Sequence, residues 1–518
     1  MRTSRPVARE SALAALALSV LYLVFHQRTW SLDGVLHTLE SVHPNDTASS
    51  GHVLLRPLAW GWTSLLGAGG PLTFAQRYDA LEWLFGALGV AALVLMFAVV
   101  RRRVGAWPAW LALAGVAMMR CTERQITTLD EKPLGMFLFA LAVTVTDRTL
   151  TRAMQHERAP RLTEVLPMGL AWVLAIAGHL QNAPFAAASL LSLVVAFRGP
   201  ARLARAGAFG ARLVPLLALA GVVLLVLVHA GSGGVSALPE LLEHLFVHRP
   251  ASPAPPNFVG LVKDTGLGWM KAFFLVDRLS PQWAPPAAAA GFGLVMLALV
   301  AGLRRRSDPL AVALAAGSAG LMILIPLANF FPDFGDSYTM VVLAAIVPLA
   351  SAPRALIAAA TLSVLAVNLP AASSYSWPET TVQLQLGRMI REQTQRDAPW
   401  VLLDELRSFD REQGLAQPYY AMCEALHSVP AALDHLPPGR FLLELPQPIE
   451  RDGRVLPGRV EEVRARLAAH GRTTRAARLC DPLRTVRSDF RRYGEYLIVE
   501  PARLPMGPGR EPPASHSP

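Results

Sequence analysis

Long apolar runs alternate with short polar, arginine-rich segments over roughly the first 370 positions of the chain. The pattern predicts helices near 10–26, 79–100, 105–119, 134–147, 163–180, 184–197, 212–229, 286–303, 309–327, 337–350 and 354–370. Apolar runs near the length needed to cross a bilayer identify membrane spans. Residues 1–372 therefore read as an α-helical multi-pass membrane domain with about 11 transmembrane helices. The pattern then changes. "TTVQLQLGRMIREQTQR" and "GRVEEVRARLAAHG" have helical period, while "WVLLDE", "RFLLEL" and "EYLIVEP" are strand-like. Residues 373–505 read as a small soluble α/β domain, and the Pro/Gly-rich stretch 506–518 as a disordered tail.

Composition agrees with the membrane reading: 53% of residues are hydrophobic and 17% charged, against about a quarter charged in soluble chains. The net charge of +10 would suit a nucleic-acid partner, but its distribution argues otherwise. Arginines cluster between spans, as "RRR" 101–103, "RGPARLARAGAFGAR" 198–212 and "RRR" 304–306, which is the habit of cytoplasmic loops. With the N-terminus inside, every cluster falls on the cytoplasmic side. Segments 27–78, 120–133, 230–285, 328–336, the link "HLQN" and the tail after 371 then fall outside. The first apolar run follows Arg2, Arg5 and Arg9 with no small-residue cleavage site after it, as in an uncleaved anchor. The few lysines (Lys132, Lys263, Lys271) beside many arginines suggest a GC-rich bacterial genome. The expected location is the bacterial cytoplasmic membrane, with the C-terminal domain extracytoplasmic. Cys121, Cys423 and Cys480 show no metal or redox spacing. A Cys423–Cys480 disulfide and two free thiols are equally compatible with it.

The spans carry almost no ionisable residues near their centres, where ion-coupled transporters hold them. Acids and histidines gather in the outer segments instead. In "SLDGVLHTLESV", Asp33, His37 and Glu40 share one helical face and the leucines the other. A helix lying in the interface would aim the three polar groups at water, where they could hold a divalent metal ion or supply a base; an amphipathic connector reads the same way. "RCTERQITTLDEK" carries Glu123, Arg124, Asp130, Glu131 and Lys132, acids beside cations that suit a phosphate. In "LPELLEHLFVHRP", Glu240, His244 and His248 share a face; Met270, Phe273, Phe274 and Trp283 follow as in a segment resting on the bilayer surface. The loop "NFFPDFGDSYT" 329–339, with Asp333 and Asp336, also falls on the outer side and could rim a site.

These segments resemble the integral-membrane glycosyltransferases of the GT-C fold, including protein O-mannosyltransferase-like and aminoarabinose-transferase-like enzymes. The resemblance rests on an acid just after the first helix (Asp33), on "GHVLLRPL" 51–58 with His52, on "TTLDEKPLGMFLFALAV" 127–143, and on "AGHLQNAPFAAASLL" 177–191. A lone "DG" stands where protein O-mannosyltransferases have paired acids. The resemblance implies transfer of a sugar from a polyprenyl-phosphate carrier on the outer face. Asp33 is then the expected general base, or holds the acceptor and a metal, and Glu131, or its neighbour Asp130, stands at the second acid position, with Glu131 expected to be catalytic. Arg124, Lys132 and Arg77 are expected to neutralise the carrier phosphate, with His52 beside the substrate. Asp130, Glu40 and His37 are the candidate ligands of a divalent metal ion. The expected partners are the lipid-linked sugar donor and membrane lipids. Two other classes fit the same pattern: a flippase of lipid-linked glycans, and a non-catalytic assembly protein whose tail binds a partner.

Overall fold

In helix α1 (Ser4–Val24), Ala14, Leu18 and Tyr22 recur every fourth residue and are buried, while Leu13, Leu16, Val20 and Leu23 are exposed. Apolar side chains on the outward face match a helix packed on protein on one side and lipid on the other. The computed structural model describes 4–26, 54–70, 74–155, 161–196, 258–276, 282–305, 308–327 and 335–375, with His37, Thr38, Ser41, Leu72 and scattered positions from 203 to 222. Further on it describes 400–403, 428–431, 439–445, 459–477 and 495–500. The chain divides into two compact units: a helical body of Met1–Gln27 and His37–Trp377, and a second unit of Arg28–Leu36 and Pro378–Pro518.

The body continues with α2 (Leu55–Leu66), α3 (Phe74–Val104), α4 (Ala106–Ala117), α5 (Arg120–Thr127), α6 (Lys132–Gln155), α7 (Leu162–Gly178) and α8 (Ala183–Ala196). Then come α9 (Phe258–Phe273), α10 (Ala284–Arg305), α11 (Pro309–Leu327), α12 (Thr339–Ala344), α13 (Ile346–Ser351) and α14 (Arg354–Tyr375). Among the described residues six helices are long and apolar enough to cross a membrane: Pro6–Val24, Gln76–Val104, Lys132–Gln155, Ala284–Arg304, Pro309–Leu327 and Arg354–Ser373. Helices Ala106–Ala117 and Thr163–Gly178 are apolar but shorter. The expected span near 337–350 is a short 3₁₀ turn, Gly335–Tyr338, followed by α12 and α13. The break has a local cause: Pro348 has no N–H for the carbonyl four residues back, so the helix turns at Ala345. The expected span 212–229 and helix 380–396 lie outside the described residues as continuous elements.

At one end of the body the arginine cluster is neutralised. Arg101 pairs with Glu10 of α1, Arg102 with Asp147 of α6 at 3.1 Å, and Arg103 with both Asp147 and Asp308. Asp308 also caps α11, accepting from Leu310 N at 2.9 Å. The start of α1, the end of α3, the C-terminal half of α6 and the start of α11 therefore meet at one end of the bundle. Alternating spans require this.

In the second unit, β1 (Trp400–Leu403) lies parallel to β2 (Ser428–Ala431) and to β3 (Phe441–Leu445); β5 (Glu495–Val499) runs antiparallel to β3 and to β4 (Thr474–Ala477). The order is β2-β1-β3-β5-β4. The strand-like runs "WVLLDE", "RFLLEL" and "EYLIVEP" supply β1, β3 and β5, and "GRVEEVRARLAAHG" supplies α15 (Arg459–Ala469), which buries Val463 and Leu467.

Candidate functional site

The opposite end of the body is built around α5, which lies in the segment 120–133 that the apolar pattern places between spans. Its eight residues are almost all buried, including Glu123 at 2% exposure and Gln125 at 0%. Glycines make the room: a Cβ on Gly89 of α3 would lie 2.5 Å from Ile126 Cγ1, and one on Gly86 would lie 3.1 Å from Ile126 O. Burial of so polar a helix is costly unless its charges find partners. Arg124 Nη1 donates to Asp336 Oδ2 at 2.6 Å, across 212 positions of sequence. Thr127 Oγ1 donates to Glu123 O at 2.8 Å. Asp336 is 1% exposed: its carboxylate turns into the body, where Arg124 supplies the countercharge. Next to this pair, the Cys121 thiol is pushed up to about 12, first by burial and then by the negative charge of Asp336.

A second cluster opens α6. Asp130 Oδ1 accepts from Lys132 N at 3.3 Å and from Lys132 Nζ at 3.2 Å, an Asx turn that leads into the helix and holds the ammonium. Lys132 Nζ also donates to Glu131 Oε1 at 3.2 Å, and His37 Nε2 lies 3.3 Å from Glu131 Oε2. His37 is 7% exposed. The expectation that it points to water from an interfacial helix is corrected: its imidazole turns inward, where the Glu131 carboxylate gives it a partner. Just behind α6, Asn182 Nδ2 donates to Gly135 O at 3.3 Å and Ala175 O at 2.8 Å, tying the α7–α8 turn to the same helix start. The fit is close, since a Cβ on Gly135 would lie 2.6 Å from His179 Cβ.

Of the candidate residues Arg124, Asp130, Glu131, Lys132 and His37, the last four form one chain of contacts. Arg77 stands apart from them, its Nε donating to Leu72 O at 3.3 Å ahead of α3. Asp33, Glu40, His52, Glu240, His244, His248 and Asp333 lie outside the described residues. Among the described residues no three acid, histidine or cysteine side chains form a metal-binding group. The residues there fit an internal cation better than a metal, because the Lys132 ammonium already lies between Asp130 and Glu131. Phe273 and Phe274, expected to rest on the bilayer surface, are buried at 3% and 0%. The reason is packing: Gly291 of α10 leaves the space that Phe274 fills, a Cβ there lying 2.7 Å from its Cζ.

An apolar groove leads from this end along the bundle. Trp269 and Phe273 of α9, Phe292 and Met296 of α10, and Tyr338 and Val341 line it. Tyr338 belongs to the same 3₁₀ turn as Asp336.

No protein-family model and no curated protein matches the sequence. Solved structures do match. The chain is similar to ArnT from Cupriavidus metallidurans in a crystal structure bound to undecaprenyl phosphate, with a TM-score of 0.51 and 11% identity over 96% of this chain and 98% of that one. An oligosaccharyltransferase from Archaeoglobus fulgidus in the apo form aligns with a TM-score of 0.47 and 14% identity, over 82% of this chain and 64% of that one. At such identities the likeness is one of fold: the chain has the GT-C fold of ArnT, the fold that the resemblance of its outer segments implies.

Proposed function

We propose that the protein is a membrane glycosyltransferase that moves a sugar from a polyprenyl-phosphate-linked donor to an acceptor on the outer face of a bacterial cytoplasmic membrane. The observation that carries this reading is the junction of two environments at one end of the bundle. Arg124, Lys132, Asp130 and Glu131 supply charge, and the groove past Tyr338 is lined almost wholly by apolar side chains. A lipid phosphate needs that combination, cations for the headgroup and apolar walls for the chain. The fold adds support, since ArnT, whose fold is alike, was crystallised with undecaprenyl phosphate.

In this reading the cations hold the phosphate as leaving group, and charge developing on it in the transition state is what they stabilise. Glu131, held by His37 and Lys132, orients or deprotonates the acceptor together with Asp33. The test is turnover of a labelled polyprenyl-phosphate sugar by the purified protein. Transfer by the native chain, lost in Asp33→Asn and Glu131→Gln proteins that are well folded, is the expected result. Movement of the lipid across proteoliposomes with no transfer by any form would overturn the reading.

A further inference from the structure

Asn368 is a polar residue of the body that the proposed function leaves unused. It stands in the apolar run "LSVLAVNLPAA" of α14 and is 2% exposed. Its Nδ2 donates to Met118 O at 2.6 Å and to Phe273 O at 2.7 Å, while its Oδ1 accepts from Leu275 N at 2.8 Å. A carboxamide offers two N–H groups and one carbonyl. Two carbonyl partners and one N–H partner engage all of it, and in one orientation only.

The partners are helix ends. Met118 is the C-cap of α4, and α5 starts right after it at Arg120 and carries Arg124. Phe273 closes α9, and the backbone just before it seats Gly335: a Cβ there would lie 2.6 Å from Lys271 C and O and 2.8 Å from Ala272 N. Asp336 follows Gly335. Asn368 thus holds the backbone at the root of each half of the Arg124–Asp336 pair. Attachment of α14 to α4 does not depend on it, because two turns earlier Thr361 Oγ1 already donates to Leu111 O at 3.0 Å.

The geometry points to Asn368 as a positioning residue that acts through Arg124: its carboxamide fixes α5 against the Gly335–Asp336 segment and so sets the site for a lipid-linked phosphate. This rests on the proposed function for the identity of the ligand, and on distances alone for the clamp.

The experiment uses the full chain with Cys423→Ser and Cys480→Ser, so that Cys121 on α5 is the remaining thiol. Two quantities are read for Asn368→Leu and for the control Thr361→Val: maleimide labelling of Cys121 at neutral pH, and binding of undecaprenyl phosphate. Asn368→Leu is expected to speed labelling and to weaken binding, each about tenfold, and Thr361→Val to change neither by more than about twofold. Placed on Arg124→Gln/Asp336→Asn, where the pair is gone, Asn368→Leu should add less than about twofold to the binding loss. If Asn368→Leu does not accumulate, Asn368→Ser replaces it with the same readouts. Unchanged labelling and binding, equal losses in the control, or full additivity in the pairless protein would each overturn the assignment. Absence of undecaprenyl phosphate binding by the native chain would count against the proposed function instead, and the labelling arm would then decide the clamp.

Discussion

Removing Arg124 tests both the buried pair and the proposed phosphate role. The Arg124 and Asp336 side chains are 17% and 2% exposed and meet at 2.6 Å. Deleting one partner of such a pair leaves the other charge without its neighbour in a poorly solvated place, at about 3–5 kcal/mol. Arg124 keeps some solvent contact, so Arg124→Gln should lose about 3 kcal/mol, a shift of roughly 100-fold in the folding equilibrium. Asp336→Asn should lose less, about 1–2 kcal/mol, because the guanidinium it strands can still reach water. Arg124→Gln/Asp336→Asn removes both charges and should fall within about 1 kcal/mol of the native chain, a coupling of at least ~3 kcal/mol. Equilibrium unfolding in mixed micelles measures the stabilities, and undecaprenyl phosphate binding is measured on the same preparations. Asp336→Asn, which keeps the cation, should bind at least as well as the native protein; the stable double variant should bind about tenfold more weakly. Additive stabilities would refute the buried-pair reasoning, and native-like binding by the double variant would refute the phosphate role of Arg124.

Three further outcomes follow from the site and its surroundings. Glu131→Gln should bind donor within about threefold of the native chain yet turn it over at least ~100-fold more slowly, as expected for a group acting on the acceptor proton; equal losses in binding and turnover would mean that it only holds the donor. The Cys121 thiol, raised to about 12 in the fold against about 8.5 in an unfolded chain, stays neutral in both states below about pH 8. Above that pH the unfolded chain loses the proton first, so stability falls as pH rises. The stability difference between the native chain and Cys121→Ala should therefore shift by about 2 kcal/mol from pH 8 to pH 10, to the detriment of the native chain. A pH-independent difference would show that the thiol is solvated. At the other end of the bundle, Asp308→Ala removes the cap on Leu310 and one partner of Arg103; it should lower stability by about 1–3 kcal/mol and leave donor binding unchanged.

The helical body was legible because its signals are local. The four-residue recurrence of Ala14, Leu18 and Tyr22 and the lengths of the apolar runs needed no knowledge of distant contacts. The buried helix α5 was not legible, for the opposite reason. "RCTERQIT" is polar in every window, and polarity reads as exposure unless the partner of each charge is known. The partner of Arg124 stands 212 residues away, and that of His37 stands 94 residues away. A weak trace existed in Gly86 and Gly89, whose spacing puts both on one face of α3, where Ile126 now rests. The break at Ala345 was legible in Pro348, which cannot donate to a helix, yet the apolar run around it masked the signal.

The same physics explains why the two ends of the bundle carry different meanings from similar residues. At the end holding Arg101, Arg102 and Arg103, each arginine meets an acid from another helix, so its charges are spent on joining α1, α3, α6 and α11. At the other end the charges cluster on adjacent positions, Asp130 to Lys132, and on a helix with almost no apolar face of its own, which tertiary packing alone would not favour. The Arg124–Asp336 pair still joins α5 to the turn ahead of α12, whereas the pairs of Lys132 with Asp130 and Glu131 are local and add no such joint. Asn368 fits neither description. In an apolar run a carboxamide costs several kcal/mol unless all its groups are paired, and here they are paired with the two helix ends that flank Arg124 and Asp336. A single polar residue within a span is therefore a sequence signal in its own right: it marks where the backbone, and not the side-chain chemistry, has to be held.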